Sequence, residues 1–212
     1  GTLHSGKLIA ALWDLATRAG VHIRTGAEVV NMRDTHTSVE LNVRTAHQDI
    51  LITASQTVVA TNAMIPSLVP AATLPEILPG RGQVIVTKPL NNLKLKGSFH
   101  ADEGYYYFRS VGNRVLLGGG RNLDFVGERT TSHQTTEHIQ SVLENMLRSV
   151  ILPNHPELEI EHRWAGTMAF TATKQPYVGH VSPRCVVAFG CNGMGVAISS
   201  NVAVQCANVL VC

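Results

Sequence analysis

A glycine-rich turn near the end of the chain is the first stretch whose residues could bind a ligand. The segment "AFGCNGMGVAISS", residues 188–200, has Gly190, Gly193 and Gly195 between the apolar run "CVVAF" and a helical pattern. Such a turn exposes backbone N–H groups and the positive end of a helix dipole, which suit an anion or a polarised carbonyl. The spacing alone also fits a tight structural turn, so both interpretations stay open.

A second group of candidate residues lies in "GYYYFRSV", which precedes "NRVLLGGGR". Side chains alternate along a strand, so Tyr105, Tyr107 and Arg109 are expected on one face, with Tyr106 and Phe108 on the other. One face would offer phenol hydroxyls and the other an apolar wall. Aromatic residues that fill a sheet face because strands favour them are the plainer alternative.

Gly118, Gly119 and Gly120 remove three consecutive side chains from the end of the next strand. This absence suggests that a flat ligand or another backbone passes over the strand end. The triplet is not a phosphate loop, because no helix follows at once and no GK[ST] is present.

Arginine offers a planar fork that grips a substrate carboxylate in two hydrogen bonds. The candidates near glycine or aromatic residues are Arg81, Arg109, Arg121 and Arg163, and for each a structural ion pair is the alternative. The ten histidines lack HxxxH or HExxH spacing, and Cys185, Cys191, Cys206 and Cys212 lack CxxC spacing. We therefore expect no metal site, free thiols and a reduced, cytoplasmic compartment.

The composition narrows the class of protein. The 212 residues are 44% hydrophobic but only 15% charged, against about 25% charged in a typical soluble domain. The net charge of +2 is too small to indicate a nucleic-acid partner, and no apolar run has the length of a membrane span. These features favour a small-molecule enzyme or a packing domain.

The elements that must position these residues are of two kinds. The pattern of the first part of the chain predicts a helix from Ser5, its N-cap, to Ala19. A strand "GVHIRTG" is expected next, followed by strands over 29–45 and 49–61, and the last of these is expected to be buried on both faces. The proline-rich segment 65–83 has too many prolines for a helix or a central strand. It marks the change to a second architecture.

That second architecture is β-rich and antiparallel. A tight hairpin turn is expected at Gly112 and Asn113 with positive φ, and a helix over 133–150 that Thr135 or Thr136 caps. The strands "LEIEHRWAGTMAFT" and "CVVAFG" follow, and then a helix over 195–211.

Six segments in order resemble the FAD-dependent D-amino-acid oxidase superfamily, which includes the glycine, sarcosine and γ-glutamylputrescine oxidases. They are "LHSGKLIAALWDLATRAGVHIRTGAEV", "VVATNAM", "LPGRGQVIVTKPL", "GYYYFRSVGNRVLLGGGR", "HRWAGTMAFTATKQPYVGH" and "VVAFGCNGMGVAISS". The resemblance implies an α/β (α+β mix) fold. Residues 1–75 and 165–212 would be the remainder of a Rossmann-like FAD domain, and 76–164 a mostly antiparallel-sheet substrate domain.

The resemblance also implies residue roles and a reaction. The FAD-contacting positions would be Val29, Ala60, Thr61, Asn62, Gly166, Gly190, Cys191, Asn192, Gly193, Met194, Gly195 and Val196. Tyr106 would be the active-site tyrosine, with Tyr107 and Arg109 as neighbours. A small-molecule amine or amino acid would pass a hydride from its Cα to flavin N5, giving an imine that water hydrolyses.

Several family features are absent from this sequence. The GxGxxG that holds the FAD pyrophosphate occurs nowhere, so the chain is expected to be a C-terminal fragment, inactive alone, whose partner is the missing N-terminal segment. Ala197 stands in place of the sarcosine oxidase lysine, Met168 in place of a flavin-linking cysteine, and Gly193 in place of the glycine oxidase arginine. A non-catalytic binding module derived from this fold remains the alternative.

Overall fold

The computed structural model describes residues 2–211 and divides the chain into two compact units. The first, the discontinuous unit, comprises the chain up to Ile77 and from Thr171 onward; the second, the continuous unit, is Leu78–Phe170. Both combine helices with sheets whose pairings are mostly antiparallel, as the sequence predicts. The assignment of one unit to FAD and the other to substrate stays a prediction.

The described part of the discontinuous unit contains two small sheets, two α-helices and two short 3₁₀ helices, Asn62–Ser67 and Ala71–Thr73. Its first sheet is the antiparallel meander β1-β2-β3, and its second has the order β10-β11-β4, in which β4 and β11 are parallel. The elements are α1 (Ser5–Arg18), β1 (Ala27–Asp34), β2 (Val39–Thr45), β3 (Asp49–Ala54), β4 (Thr57–Val59), β10 (Tyr177–Ser182), β11 (Cys185–Phe189) and α3 (Gly195–Val211).

Asp34 ties the two sheets of this unit together. Its carboxylate accepts hydrogen bonds from Ser182 Oγ (2.6 Å), from the N–H of His36 (2.9 Å) and from the N–H of Arg184 (3.2 Å). These bonds, that of Ser182 foremost, lower the pKa of Asp34 because they favour the charged carboxylate. The end of β1 is thereby fixed to the turn between β10 and β11.

The start of α1 differs from the prediction. The N-cap is His4, whose backbone is extended and whose Nδ1 accepts from Lys7 N–H at 3.4 Å. Ser5 is already the first helical residue, so its side chain does not take the predicted capping role. The helix ends before Gly20, whose φ of 85° suits the left-handed residue that commonly terminates helices.

The strand predicted for "GVHIRTG" is wrong, since residues 21–24 are irregular and no described strand pairs with them. Val21 and Ile23 are exposed. Apolar pattern alone does not make a strand, because an extended backbone needs a neighbour for its hydrogen bonds. The predicted strand over 49–61 is likewise divided into β3 and β4, which belong to different sheets, and Val58 of β4 is 38% exposed rather than buried.

The continuous unit is a five-stranded antiparallel sheet of order β6-β7-β8-β5-β9. The elements are β5 (Leu78–Thr87), β6 (Ser98–Ala101), β7 (Tyr106–Val111), β8 (Arg114–Gly119), α2 (Glu137–Met146), which continues as a wide π-helical turn over Leu147–Ile151, and β9 (Ile160–Phe170). Ile139, Leu143 and Leu147 pack against Ile85 and Leu117. We call the side of the sheet that α2 covers the helix face.

Two further expectations fail in this unit: that proline is excluded from a central strand, and that both Gly112 and Asn113 have a positive φ. Pro79 does lie in the central strand β5, but at a point where β5 pairs only with β9, so its missing N–H leaves no gap in the ladder with β8. At the hairpin turn only Gly112 has a positive φ, 60°. Asn113 does not, so a turn that is left-handed at its first residue alone connects β7 and β8.

A buried polar network links β5 to the segment that precedes α2. Arg81 forms a two-point ion pair with Glu128, with distances of 2.8 and 2.6 Å, and also donates to the carbonyl of Gln134. The Gln83 amide bonds the same carboxylate and both the N–H and Oγ1 of Thr136. Thr136 therefore precedes α2 as predicted, but its side chain bonds Gln83 and does not cap the helix.

The end of the helical segment also departs from its apolar pattern. Val150 belongs to the predicted apolar stripe but is 69% exposed. The helix widens from Leu147 onward, and this change in residues per turn rotates later side chains off the stripe.

Three of the four cysteines, Cys185, Cys191 and Cys206, have free thiols, and Cys212 lies outside the described residues. Burial and the nearby charge of Asp34 raise the pKa of Cys185 to about 11. No helix within residues 2–211 has the length and apolarity needed to cross a membrane.

We predict that Glu128→Gln destabilises the chain by about 3 kcal/mol or more, because it leaves the guanidinium of Arg81, 5% exposed, buried without its counter-charge. The matched control is Glu159→Gln in the exposed pair with Lys88, which should change stability by less than about 1 kcal/mol. Urea unfolding followed by circular dichroism measures both. Equal losses in the two variants would contradict the structural role of the Arg81–Glu128 pair.

Candidate cofactor and substrate sites

The parallel pairing of β4 with β11 brings two groups of predicted residues to one sheet edge. Val59 is opposite Val187, so Ala60–Asn62, which follow β4, lie beside the end of β11, where the glycine loop 190–195 begins. Ligands of open α/β sheets bind at the carboxyl ends of such strands. The structure therefore brings together ten of the twelve candidate cofactor positions: Ala60, Thr61, Asn62, Gly190, Cys191, Asn192, Gly193, Met194, Gly195 and Val196.

The glycine loop presents backbone donors at the start of α3. Gly190, Asn192 and Gly193 have positive φ values of 80°, 51° and 83°. Within residues 2–211, the N–H groups of Gly193, Gly195 and Val196 have no protein acceptor, whereas that of Met194 bonds the Cys191 carbonyl at 2.7 Å. The donors fit the negatively polarised edge of a flavin, since the helix dipole adds to their partial charge.

Asn192 and Thr171 hold the loop in this shape. Asn192 Oδ1 accepts from the N–H of Thr171 at 2.9 Å, and its Nδ2 donates to the carbonyl of Gly190. A Cβ on Gly190 would lie 2.6 Å from Thr171 Cγ2, so position 190 needs glycine for space as well as for φ. Thr171 was missed by the sequence reasoning, because nothing in its neighbourhood signals a contact 21 residues away.

The other two cofactor candidates lie apart from this edge. Val29 is in β1 at an irregularity of the ladder, where Val30 pairs with no residue of β2. Such a bulge leaves backbone groups outside the ladder, which fits a backbone contact with adenine. Gly166 is in the middle of β9, in the continuous unit, paired with Gly82.

The predicted tyrosines divide between the two faces of the continuous unit's sheet. Tyr106 is 9% exposed and packs with Ile85 and Leu117 on the helix face. Tyr107 is on the opposite side, which we call the glycine face because Gly82, Gly118 and Gly166 share it. Their roles in binding remain predictions, but the surroundings of Tyr106 are those of a packing residue, whereas Tyr107 faces away from the core.

Tyr105 does not share the face of Tyr107, although the alternation predicts that it does. The strand begins only at Tyr106; Tyr105 has helical φ and ψ of −66° and −22°, and packs against the same cluster as Tyr106. Burial raises the pKa of Tyr107, and burial with the charge of Asp102 raises that of Tyr106. Both phenols are therefore protonated at neutral pH.

Each glycine of the triplet Gly118–Gly120 has its own structural reason. A Cβ on Gly118 would lie 2.5 Å from Tyr107 Cζ, so the flat object over this glycine is the ring of Tyr107. A Cβ on Gly119 would collide with the carbonyl of Tyr105, which is the close backbone approach that the sequence suggests. Gly120 has φ 76° and lies beside Ile139.

Arg81, Arg121 and Arg163 contact residues of the continuous unit. Arg81 is paired with Glu128; Arg163 bonds Glu144 and Gln140; and the guanidinium of Arg121 lies 4.5 Å from the ring centre of Phe170. Hydrogen bonds from Arg163 lower the pKa of Glu144. Arg109 belongs to the glycine face, opposite Leu116. Among the described residues, no three His, Cys, Asp or Glu side chains converge as metal ligands would.

Residues 1–208 match the family model of the FAD dependent oxidoreductases, DAO, and the chain belongs to this family. The cofactor of the family is FAD.

Individual relatives have low sequence identity to this chain. The chain is 25% identical over 207 residues to a protein named "Probable oxidoreductase OrdL" from Rhizobium meliloti, an alignment that covers 94% of this chain and 45% of that protein. It therefore spans about half the length of this relative.

Two solved structures show the same fold. Glycine oxidase from Geobacillus kaustophilus superposes with a TM-score of 0.74 at 21% identity, over 95% of this chain and 52% of that one. Amadoriase I of Aspergillus fumigatus, a fructosyl amine:oxygen oxidoreductase, gives a TM-score of 0.73 at 16% identity, over 98% and 51%.

We predict that Asn192→Ala destabilises the chain by about 2 kcal/mol more than Asn92→Ala, as judged by urea unfolding. Both asparagines have a left-handed backbone, with φ of 51° and 55°, so both variants carry a similar backbone strain. Only Asn192 also bonds Thr171 and Gly190, and its loss leaves their polar groups without partners. Equal effects of the two substitutions would show that the side-chain bonds do not hold the loop.

A second prediction concerns the ring of Tyr107. Gly118→Ala should cost about 1 to 3 kcal/mol, because the new methyl group collides with the ring. In the control Gly166→Ala, on the same face, nothing lies within 4 Å of the added Cβ, and the change should stay within about 0.5 kcal/mol. Urea unfolding of each variant measures these costs. If Gly118→Ala is neutral, the ring does not lie where the structure has it.

Proposed function

We propose that the full protein oxidises an amine or amino acid with FAD: a hydride leaves the substrate Cα for flavin N5, and water hydrolyses the resulting imine. The observation that carries the proposal is the shared edge at the ends of β4 and β11, with its row of free backbone donors. Membership of the FAD dependent oxidoreductase family supports it. Bound FAD would supply the hydride acceptor, and the protein supplies orientation and electrostatics.

In this proposal the glycine loop stabilises charge. The N–H groups of Gly193, Gly195 and Val196 would hold the edge of the bound flavin that is negatively charged in the reduced cofactor. Preformed donors are effective there because they need no reorganisation during the reaction. Asn192 and Thr171 act as positioning residues, since they fix the loop from which these donors project.

We assign the substrate-facing phenol to Tyr107 and keep Tyr106 as the rival. Tyr107 lies on the glycine face, and its raised pKa keeps the hydroxyl protonated, so it would act as a neutral hydrogen-bonding group and not as a base. Arg109, two residues along β7 on the same face, is the proposed neighbour.

The proposal includes a further polypeptide segment that holds the FAD pyrophosphate. No GxGxxG is present in the 212 residues, and helix α1 has apolar side chains that this chain leaves uncovered: Ile9, Leu12, Trp13 and Leu15 are all at least 45% exposed. Such a stripe is typical of a face that packs against another element. We expect the 212-residue chain alone to bind FAD weakly and to be inactive.

The test is to express the full-length protein and to record its flavin absorption. Anaerobic addition of a panel of amines and amino acids should bleach the flavin band, and the carbonyl product should appear in step with the bleaching. A full-length protein that holds FAD but is reduced by no amine or amino acid would overturn the proposed reaction. Stoichiometric FAD on the 212-residue chain alone would overturn the need for a further segment.

Tyrosine variants of the full-length protein separate the two assignments. Tyr107→Phe should lower the rate of flavin reduction about tenfold or more, because a group that bonds the substrate loses its partner. Tyr106→Phe should leave the rate within about twofold. The reverse pattern would return the role to Tyr106. Flavin content, measured on both variants, controls for misfolding.

A further inference from the structure

We propose that the paired glycines Gly82 and Gly166 form a seat for a flat, apolar substituent of the substrate. The inference rests on the proposed function and deepens it by naming the substrate class: amines or amino acids with an aromatic or similarly flat group, as opposed to diamines. We call the bare backbone of these two glycines the glycine seat.

The seat is a gap between side chains where β5 pairs with the edge strand β9. Gly82 and Gly166 are opposite each other in β5 and β9 and point to the glycine face. Nothing lies within 4 Å of a Cβ built on Gly166, so the space above it is open. Gly82 of β5 pairs with Gly166 of the edge strand β9, and glycine inside a strand often marks a place where a ligand approaches the backbone closely.

The sides of the seat are mostly apolar. A Cβ on Gly82 would lie 3.2 Å from Met168 Cε and 3.9 Å from the hydroxyl of Tyr107, so these groups flank the floor. Trp164, two residues from Gly166 on the same face, is 42% exposed and pairs with Val84. A thioether methyl, an indole and bare backbone suit a flat apolar group, and the one hydroxyl can bond a polar atom next to it.

The charged residues of the glycine face exclude diamines, the contrasting class of substrate. The strand positions on the glycine face include Arg109, Arg114, His100 and His162 but no Asp or Glu. Glu161, at the bulge beside His162, pairs with Arg114. A second ammonium group would meet only the Glu161 carboxylate, which Arg114 already pairs, and would lose its hydration there.

The experiment uses the full-length protein with FAD and five probes. Benzylamine and N-benzylglycine carry the flat group, methylamine and glycine lack it, and 1,4-diaminobutane carries a second cation. We expect kcat/KM for anaerobic flavin reduction to be about tenfold or more higher with the benzyl compounds than with the other three, the range that apolar pockets achieve.

Substitutions locate the effect. Gly82→Ala should lower kcat/KM for benzylamine about tenfold or more, because the added methyl group enters the seat beside Met168 and Tyr107. It should leave the flavin content and the rate with methylamine within about twofold. His162→Val, on the same face but one alternate position beyond Trp164 and two beyond Gly166, is the matched control and should leave kcat/KM unchanged. Trp164→Ala should raise KM for benzylamine more than kcat falls, and Trp164→Phe should restore it, because the flat contact is kept.

The outcomes separate this inference from the proposed function. Loss of FAD in Gly82→Ala would mean that the seat faces the cofactor, and faster reduction by 1,4-diaminobutane or methylamine would mean that no flat group is preferred; either overturns the inference alone. Reduction by other amines but by none of the five probes would do the same. If no amine or amino acid reduces the flavin, the proposed function and the inference both fall.

Discussion

The parallel pairing of β4 with β11 is the constraint on which the candidate cofactor site depends. These two short strands are more than a hundred residues apart in the chain, and only their common direction puts both following loops at the same edge. An antiparallel pairing would send Ala60–Asn62 and the glycine loop to opposite ends of the sheet. The buried contact of Val59 with Val187 and Phe189 stabilises the pairing and thus connects core packing to the site.

A second constraint operates in the continuous unit, where one sheet has two chemically different faces. The helix face is closed by α2 and by the network around Arg81, Gln83 and Glu128, and it accounts for the stability of the unit. The glycine face has the residues to which we assign the contacts with substrate. Because alternation in β7 gives Tyr106 to one face and Tyr107 to the other, adjacent residues of the same type have opposite environments.

Much of this organisation could be predicted from the sequence, and the failures have physical causes. The long patterns gave α2, α3, β9 and the β7–β8 hairpin, since periodic burial is a local signal. The strand at "GVHIRTG" failed because a strand needs a partner, which local pattern does not specify. The choice of Tyr106 as the active-site tyrosine follows from the family resemblance and stays a prediction, because a strand's periodicity separates two faces but does not say which one a helix covers.

The local sequence pattern also does not specify which residues form the polar contacts. Arginines near glycine or aromatic residues look alike in sequence, yet Arg81 and Arg163 bond carboxylates 47 and 19 residues away. The lock between Asn192 and Thr171 is equally non-local. The sequence predicts the glycine-rich loop, but it does not predict that Thr171 fixes the shape of this loop.

The anchoring of Glu128 also bears on how this protein tolerates changes of length. Between β8 and α2 the chain is held at Glu128 by Arg81 and Gln83 and at Thr136 by Gln83. The side chains from Thr131 to Thr135 between these two points are exposed. Because loop closure costs little for added residues, residues 131–133, which precede the Gln134 carbonyl that Arg81 bonds, are suited to the insertion of an affinity tag or a fluorescent label without disturbing either face of the sheet.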